Sequence, residues 1–167
     1  MLETPRLYIK PLTYEELRLY VDSEKDFADK SGYKPSASGI DGVTKEAIIN
    51  DLLPNLEKSK DNFEFFTMWI IIEKETLSII GGLCFHGLPD DCGEVEIGYG
   101  MDITCRNKGY ITEAIKRLIE WTGKSQKVKT IKAETENENV SSSKVLEKNG
   151  FKLCEKKNNT SLWRLIL

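Results

Sequence analysis

The sequence predicts a mixed α/β (α+β) fold built on a mostly antiparallel sheet, and three observations carry that prediction. Glu94 to Met101 (EVEIGYGM) reads as a strand that passes through a short basic loop into a segment where Ile111, Ala114, Ile115, Leu118, Ile119 and Thr122 recur at i, i+3, i+4 and i+7, the core stripe of an amphipathic helix. Two apolar runs, residues 63–73 and 77–85, are joined by Lys74-Glu75-Thr76 and read as an antiparallel hairpin. A second strand pair, residues 151–156 and 160–167, meets at the polar turn Lys157-Asn158-Asn159.

The remaining elements follow in order. Residues 6–10 alternate, with Leu7 and Ile9 on one face, and Pro11 ends the strand. Thr13 stands three before Glu16, a capping box opening a helix to about Val21. Residues 22–42 hold Gly32, Pro35, Gly39 and several serines and aspartates, which predicts mostly loop with one helical turn. Thr44 is the expected cap of a second helix with Ile48, Ile49, Leu52 and Leu53 inward, which Pro54 should kink or end. Gly81-Gly82 hints at a bulge or a close approach. Beyond the central helix, Gly123 reads as its C′ residue, residues 128–136 as a strand beside the central one, and Asn139 as the cap of a short helix that Asn149-Gly150 terminates.

Composition narrows the class. A chain of 167 residues fits one domain, 1–167, and buries roughly 70% of its unfolded surface. Its 40% hydrophobic and 31% charged residues are those of a globular protein, and a net charge of −3 argues against a general nucleic-acid binder. No apolar run approaches the ~20 residues of a membrane span, and the first residues lack the apolar core of a leader. Cys84, Cys92, Cys105 and Cys154 form no C-x-x-C pair and there is one histidine, so no metal site is expected, and reduced cysteines in the cytoplasm are the simplest reading.

The strand-loop-helix junction is the candidate binding site. The first N–H groups of a helix lack acceptors and carry the positive end of its dipole, so an anion suits them. Arg106 and Lys108 add charge beside Gly109. Solvated basic surface is the plain alternative. The phosphate loop G-x-x-x-x-G-K-[ST] is absent, and Gly98-Tyr99-Gly100 lacks the third glycine of G-x-G-x-x-G, which disfavours nucleotide triphosphatases and dinucleotide-dependent dehydrogenases.

Arg106-Asn107-Lys108-Gly109-Tyr110-Ile111-Thr112-Glu113-Ala114 resembles the [RQ]-x-x-G-x-[GA] acetyl-CoA motif of the GNAT N-acetyltransferases, in the form of the RimJ/RimL-type branch. The resemblance extends to Glu3-Thr4-Pro5-Arg6-Leu7, Glu96-Ile97-Gly98-Tyr99, Asn139-x-x-Ser142 and Lys148-Asn149-Gly150-Phe151, four motifs in order across nearly the whole chain. It implies a twisted sheet splayed at the central strand with helices on both faces, and an acetyl-CoA-dependent transfer to a primary amine. It implies that residues 22–42 cover the acceptor site, that the backbone of Arg106 through Thr112 holds the pyrophosphate, and that the pantetheine arm lies along Met101, Asp102 and Ile103. Asn139 would bond that arm, a role compatible with capping a helix because its amide has separate donor and acceptor ends. N–H groups near Tyr99 to Met101 would polarise the carbonyl.

Two positions depart from the motif. Asn107 replaces a frequent glycine and Ile111 a small residue; asparagine tolerates left-handed backbone, and Ile111 either packs inward or crowds the phosphate. Glu96 stands where relatives keep an acid near the amine, so it is the candidate base, against the alternative of a solvent-face charge. Leu146 occupies the position of a leaving-group tyrosine, so Ser142 or water is the expected proton source. His86 reads as a structural or surface residue, and Trp69, Trp121 and Trp163 as core. Presenting a neutral lysine amine at pH 7 costs about 4.6 kcal/mol against about 1 for an α-amine, which favours a peptide N-terminus or a small amine of low pKa as acceptor. The expected partners are acetyl-CoA and that amine, without nucleic acid or membrane, the chain being a monomer or homodimer. The alternative from another class is a non-catalytic acyl-CoA sensor on the same fold.

Overall fold

The computed structural model describes residues 1–59 and 61–167. Its strands are β1 (Leu2–Glu3), β2 (Leu7–Pro11), β3 (Met68–Glu73), β4 (Ser78–Phe85), β5 (Glu94–Met101), β6 (Thr130–Glu136), β7 (Lys152–Lys156) and β8 (Thr160–Ile166). They form a sheet in the order β1-β2-β3-β4-β5-β6-β8-β7, with every neighbour antiparallel except β5 and β6. Helices α1 (Tyr14–Asp22), α2 (Glu24–Ser31), α3 (Gly42–Ala47) and α4 (Leu53–Lys58) belong to the first half of the chain, and α5 (Tyr110–Thr122) and α6 (Val140–Lys148) to the second.

The period-2 strands bury opposite faces, and each face has its own core. Leu17, Tyr20, Phe27, Ile48 and Leu56 from the first helices pack with Ile70, Ile72 and Ile79. Ala114, Ile115, Leu118 and Leu146 from α5 and α6 pack with Ile71, Val95, Ile97 and Ile131. Helices therefore cover both faces, as expected. Trp69 and Trp163 are buried, and Trp121 packs on Phe65, Phe85 and Trp69 at the base of α5.

The sheet divides at β5. Residues 97–101 of β5 pair with β4, whereas pairing with β6 covers only Glu94 to Glu96. Beyond Glu96 the far edge of β5 has no strand beside it among the described residues. This is the expected splay.

Several expectations are corrected. Residues 22–42 hold more than one helical turn: Ser23 caps α2, Phe27 and Ala28 bury its inner face, and Gly32 ends it at φ +74°, with loop from there to Asp41. The cap of the next helix is Asp41, whose carboxylate accepts from the Thr44 N–H, and Ile49 is exposed rather than inward. Pro54 does not end the helical run. A π turn, Ile48–Leu52, widens the ladder just before it, and Pro54 falls in the first turn of α4, where a missing N–H is harmless. Residues 63–65 are a 3₁₀ turn, so β3 starts at Met68. Gly123 keeps a right-handed backbone as the C-cap of α5. Both Gly81-Gly82 hints are realised. The register slips by one residue opposite Ile71 and Ile72, and a Cβ at Gly81 would lie 2.5 Å from the Gly100 carbonyl.

Candidate active site

Beyond β5 the chain makes a 3₁₀ turn, Ile103–Cys105, and then the exposed loop 106–109. Asn107 at φ +61° and Gly109 at φ +79° take the left-handed backbone that turns the loop into α5. Gly109 offers no capping side chain, and Glu113 is the first residue of α5 whose N–H finds an acceptor, the Gly109 carbonyl at 3.1 Å. The N–H groups of Tyr110, Ile111 and Thr112 have no acceptor among the described residues. Ile111 packs inward against the core, which leaves this helix end open.

Arg6 braces the loop from behind. Its guanidinium donates from Nε to Glu113 at 2.7 Å and from Nη1 to the Lys108 carbonyl at 3.0 Å, and stacks 4.5 Å from the centre of the Tyr110 ring. Tyr110 in turn bonds the Glu73 carboxylate. Arg106 bends over the strand end, its Nε donating to the Met101 carbonyl at 3.2 Å.

The free edge of β5 adjoins this loop. His86 N–H bonds the Glu96 carbonyl and Asp102 N–H bonds the Ile80 carbonyl, so residues 96, 98, 100 and 102 turn their amides toward β4. By alternation, the N–H groups of Tyr99 and Met101 point to the unpaired edge. Across the notch stands α6. Asn139 accepts from the Ser142 N–H at 3.0 Å through its carbonyl oxygen, which leaves its NH₂ free. The Ser142 hydroxyl is 2.7 Å from the Tyr99 hydroxyl, and Leu146, one turn further, is fully buried. Burial raises the Tyr99 phenol above its ordinary range, partly offset by the Ser142 bond.

Asp102 belongs to the scaffold rather than to an open surface. Its carboxylate accepts from Ser38 N–H (2.8 Å), Thr104 N–H (2.8 Å) and Thr104 Oγ1 (2.6 Å), while its backbone bonds Ile80 and Cys105. Burial opposes its ionisation, but those donors outweigh it and hold the carboxyl at about 2. Asp102, expected beside a pantetheine arm, has its carboxylate engaged within the chain as a brace.

On the other side of β5 lies a cavity of about 500 Å³. Gly82, Gly98 and Gly100 form its floor, Val43, Ala47, Ile48 and Leu52 one wall, and the 36–41 segment its rim. On the same face of β5, two residues before Gly98, Glu96 Oε1 is 3.2 Å from His86 Nδ1 and Oε2 is 3.2 Å from Lys132 Nζ. Cys84 faces the floor, and burial pushes its thiol up to about 11, so at neutral pH it is protonated and a poor nucleophile. Among the described residues no group of three or more His, Cys, Asp or Glu is placed to hold a metal, and no helix is long and apolar enough to cross a membrane.

The acetyltransferase (GNAT) domain model matches residues 6–152. The chain belongs to the GNAT acetyltransferase family. It is 32% identical over 165 residues to the N-acetyltransferase YjdG of Bacillus subtilis, covering 98% of this chain and 96% of that protein. Among solved structures, the ribosomal-protein-S5-alanine acetyltransferase of Vibrio fischeri superposes with a TM-score of 0.70 at 20% identity, over 98% of this chain and 94% of that one. The RimL ribosomal L7/L12 α-N-protein acetyltransferase in complex with coenzyme A gives 0.67 at 14% identity, over 98% and 96%. The neighbours of this GNAT fold thus include RimL/RimJ-type ribosomal-protein acetyltransferases.

Of the GNAT site residues expected from sequence, the structure gathers Met101, Ile103, Arg106, Asn107, Lys108, Gly109, Tyr110, Ile111 and Thr112 along one strand end and helix head, with Asn139 and Ser142 across the notch. Glu96 lies on the opposite face of β5 from Tyr99. Sequence reasoning missed the Tyr99–Ser142 pair, the Ser38–Asp102 tie and the Arg6 brace. Only the last had a signal, the Thr4-Pro5-Arg6-Leu7 motif, which by itself names no contact.

Proposed function

We propose that this GNAT protein is an acetyl-CoA-dependent N-acetyltransferase acting on a primary amine, either the α-amine of a peptide N-terminus or a small-molecule amine. The observation that carries this reading is the unbroken run from the open head of α5, past the unpaired edge of β5, to the glycine-floored cavity. The donor set fits coenzyme A: free helix N–H groups and two exposed cations suit a diphosphate, and a bare strand edge suits an arm of amides. When bound, acetyl-CoA supplies a thioester whose acetyl carbon is open to attack by the amine.

The roles of the chain's residues follow. Arg106, Asn107, Lys108 and Gly109 with the N–H groups of Tyr110, Ile111 and Thr112 hold the diphosphate. Met101 N–H and the Asn139 NH₂ bond the arm, and the exposed side chain of Ile103 gives it apolar cover. Tyr99 N–H, fixed by the sheet, stabilises charge developing on the carbonyl oxygen. Ser142, backed by Tyr99, returns a proton to the departing thiolate. The acceptor enters over Gly98 and Gly100, and its proton leaves toward Glu96 and its partners. The apolar wall of Val43, Ala47, Ile48 and Leu52 favours an amine with an apolar body over polyamines or aminoglycosides. The likeness to ribosomal-protein acetyltransferases supports the peptide N-terminus as one such acceptor.

The test is calorimetry with acetyl-CoA followed by thiol release with a panel of N-terminal peptides, arylalkylamines, polyamines and aminoglycosides. Saturable binding with release for an apolar acceptor is expected; no binding refutes the reading. Binding without release for any amine would favour the second reading, a non-catalytic acyl-CoA sensor. Leu146, in place of a hydroxyl-bearing residue, motivates that alternative; the Tyr99–Ser142 hydroxyl pair weighs against it.

A further inference from the structure

Resting on the transferase reading, we propose that His86 takes the proton from the acceptor amine and that Glu96 acts through it, holding the imidazole in place. His86 follows directly on β4, and its backbone N–H bonds the Glu96 carbonyl at 3.0 Å, which fixes the two side chains on one face of adjacent strands. Nδ1 lies 3.2 Å from Glu96 Oε1, and the other carboxylate oxygen lies 3.2 Å from Lys132 Nζ on β6. Each oxygen of Glu96 therefore already faces a nitrogen partner, which holds the carboxylate on the Nδ1 side of the imidazole.

The free atom is His86 Nε2. A methyl group added at Gly98 would come within 2.9 Å of Nε2 and 3.2 Å of Cys84 Sγ. Nε2 thus lies against Gly98, a residue of the cavity lining, in a space kept clear because residue 98 has no side chain. A carboxylate beside Nδ1 favours the tautomer with its proton there, which leaves a lone pair on Nε2. The groups facing the imidazole are Glu96 from β5, Lys132 from β6 through that carboxylate, and the protonated Cys84 thiol from β4.

The step balances. The neutral amine nitrogen forms the C–N bond as the C–S bond of the thioester breaks; the nitrogen's proton passes to Nε2, and the imidazolium returns it to solvent. The departing thiolate takes its own proton from the Ser142 side. His86 is half exposed, with a side-chain exposure of 52%, so that return path is open.

Two readouts test this. His86→Gln should lower kcat by about 10²-fold with the affinity for acetyl-CoA unchanged by calorimetry, and added imidazole should restore part of the activity of His86→Ala. Independently of turnover, His86 is the chain's one histidine, so a single pair of imidazole ¹⁵N resonances reports which ring nitrogen carries the proton, without any acetyl donor. At alkaline pH the wild type should show the Nδ1–H tautomer, a preference lost in Glu96→Ala and kept in Glu134→Gln. Retention of kcat within threefold in His86→Gln, in an enzyme that releases thiol, overturns the assignment alone. Loss of activity in Glu96→Ala with an unchanged imidazole tautomer makes Glu96 the base and also overturns it. A wild type that releases no thiol with any amine overturns the transferase reading and this role together.

Discussion

Replacing Asp102 by Asn tests whether the acceptor rim is tied to the end of β5 by charge. Thr104 N–H and Oγ1 both bond Oδ1, and Ser38 N–H bonds Oδ2, at 2.8, 2.6 and 2.8 Å. An asparagine keeps one carbonyl oxygen, which can retain the Thr104 pair, but its NH₂ then meets the Ser38 N–H donor to donor. The loss is one bond to a charged group, about 2–3 kcal/mol, which for a chain of this size lowers Tm by about 5–10 °C. The pH dependence has a definite sign. The folded carboxyl titrates at about 2, below its reference value of 3.8, so the unfolded chain binds the proton more readily. Asp102 therefore contributes stability that is full above the unfolded value and is lost as pH falls through the folded one. Thermal unfolding followed by circular dichroism should show a constant gap between wild type and Asp102→Asn from pH 5 to 8, narrowing from pH 4 toward pH 2. A Tm shift under about 2 °C at pH 7, or a gap that does not narrow in acid, would refute the brace. Because Ser38 lines the cavity, the variant should raise KM for the amine more than the dissociation constant for acetyl-CoA.

Gly109→Ala forces a side chain onto a backbone at φ +79°, at about 1 kcal/mol, and should weaken acetyl-CoA binding severalfold by calorimetry. Arg6→Ala removes the Glu113 pair and the Lys108 carbonyl contact; with the guanidinium about half exposed, stability should change by no more than about 1 kcal/mol while cofactor affinity drops about tenfold. Arg6→Lys should not restore that affinity, since a single ammonium cannot span both partners. Tyr99→Phe should lower kcat by less than about tenfold in stopped-flow thiol release, because a thiol of ordinary pKa ~8.5 leaves tolerably near neutrality.

The sheet and the central helix were legible because their patterns are local. The stripe from Ile111 to Thr122 and the alternation in β2 and β5 each specify one face, and those faces are buried as read. Helix α2 was not legible for an equally local reason. The punctuating residues Gly32, Pro35 and Gly39 all follow it, and their loop signal was carried back across Phe27 and Ala28. The second helix start was ambiguous because Asp41 and Thr44 bond each other, and either side chain could open a helix by sequence alone. What the sequence could not carry was contact between distant segments. Arg6 meets Glu113 across 107 positions and Ser38 meets Asp102 across 64, and nothing in either stretch names its partner.

Leu146 shows how a motif position can mislead about chemistry. Seven residues beyond Asn139, the resemblance leads one to look for a hydroxyl, and its absence there argued for a protein that binds without turning over. In the structure residues 142 and 146 are one helical turn apart on α6; Leu146 fills the core and Ser142 reaches the strand. The hydroxyl pair is completed from β5, by Tyr99, whose side chain projects from the face opposite Glu96 while its amide points to the open edge. One residue of the splayed strand can thus serve the carbonyl through its backbone and the thiolate through its side chain, while the alternate residues of the same strand turn to the amine. In the proposed mechanism, period-2 geometry would separate the two proton transfers onto opposite faces of β5, so that the group receiving the amine's proton and the group protonating the sulfur would not compete for one site.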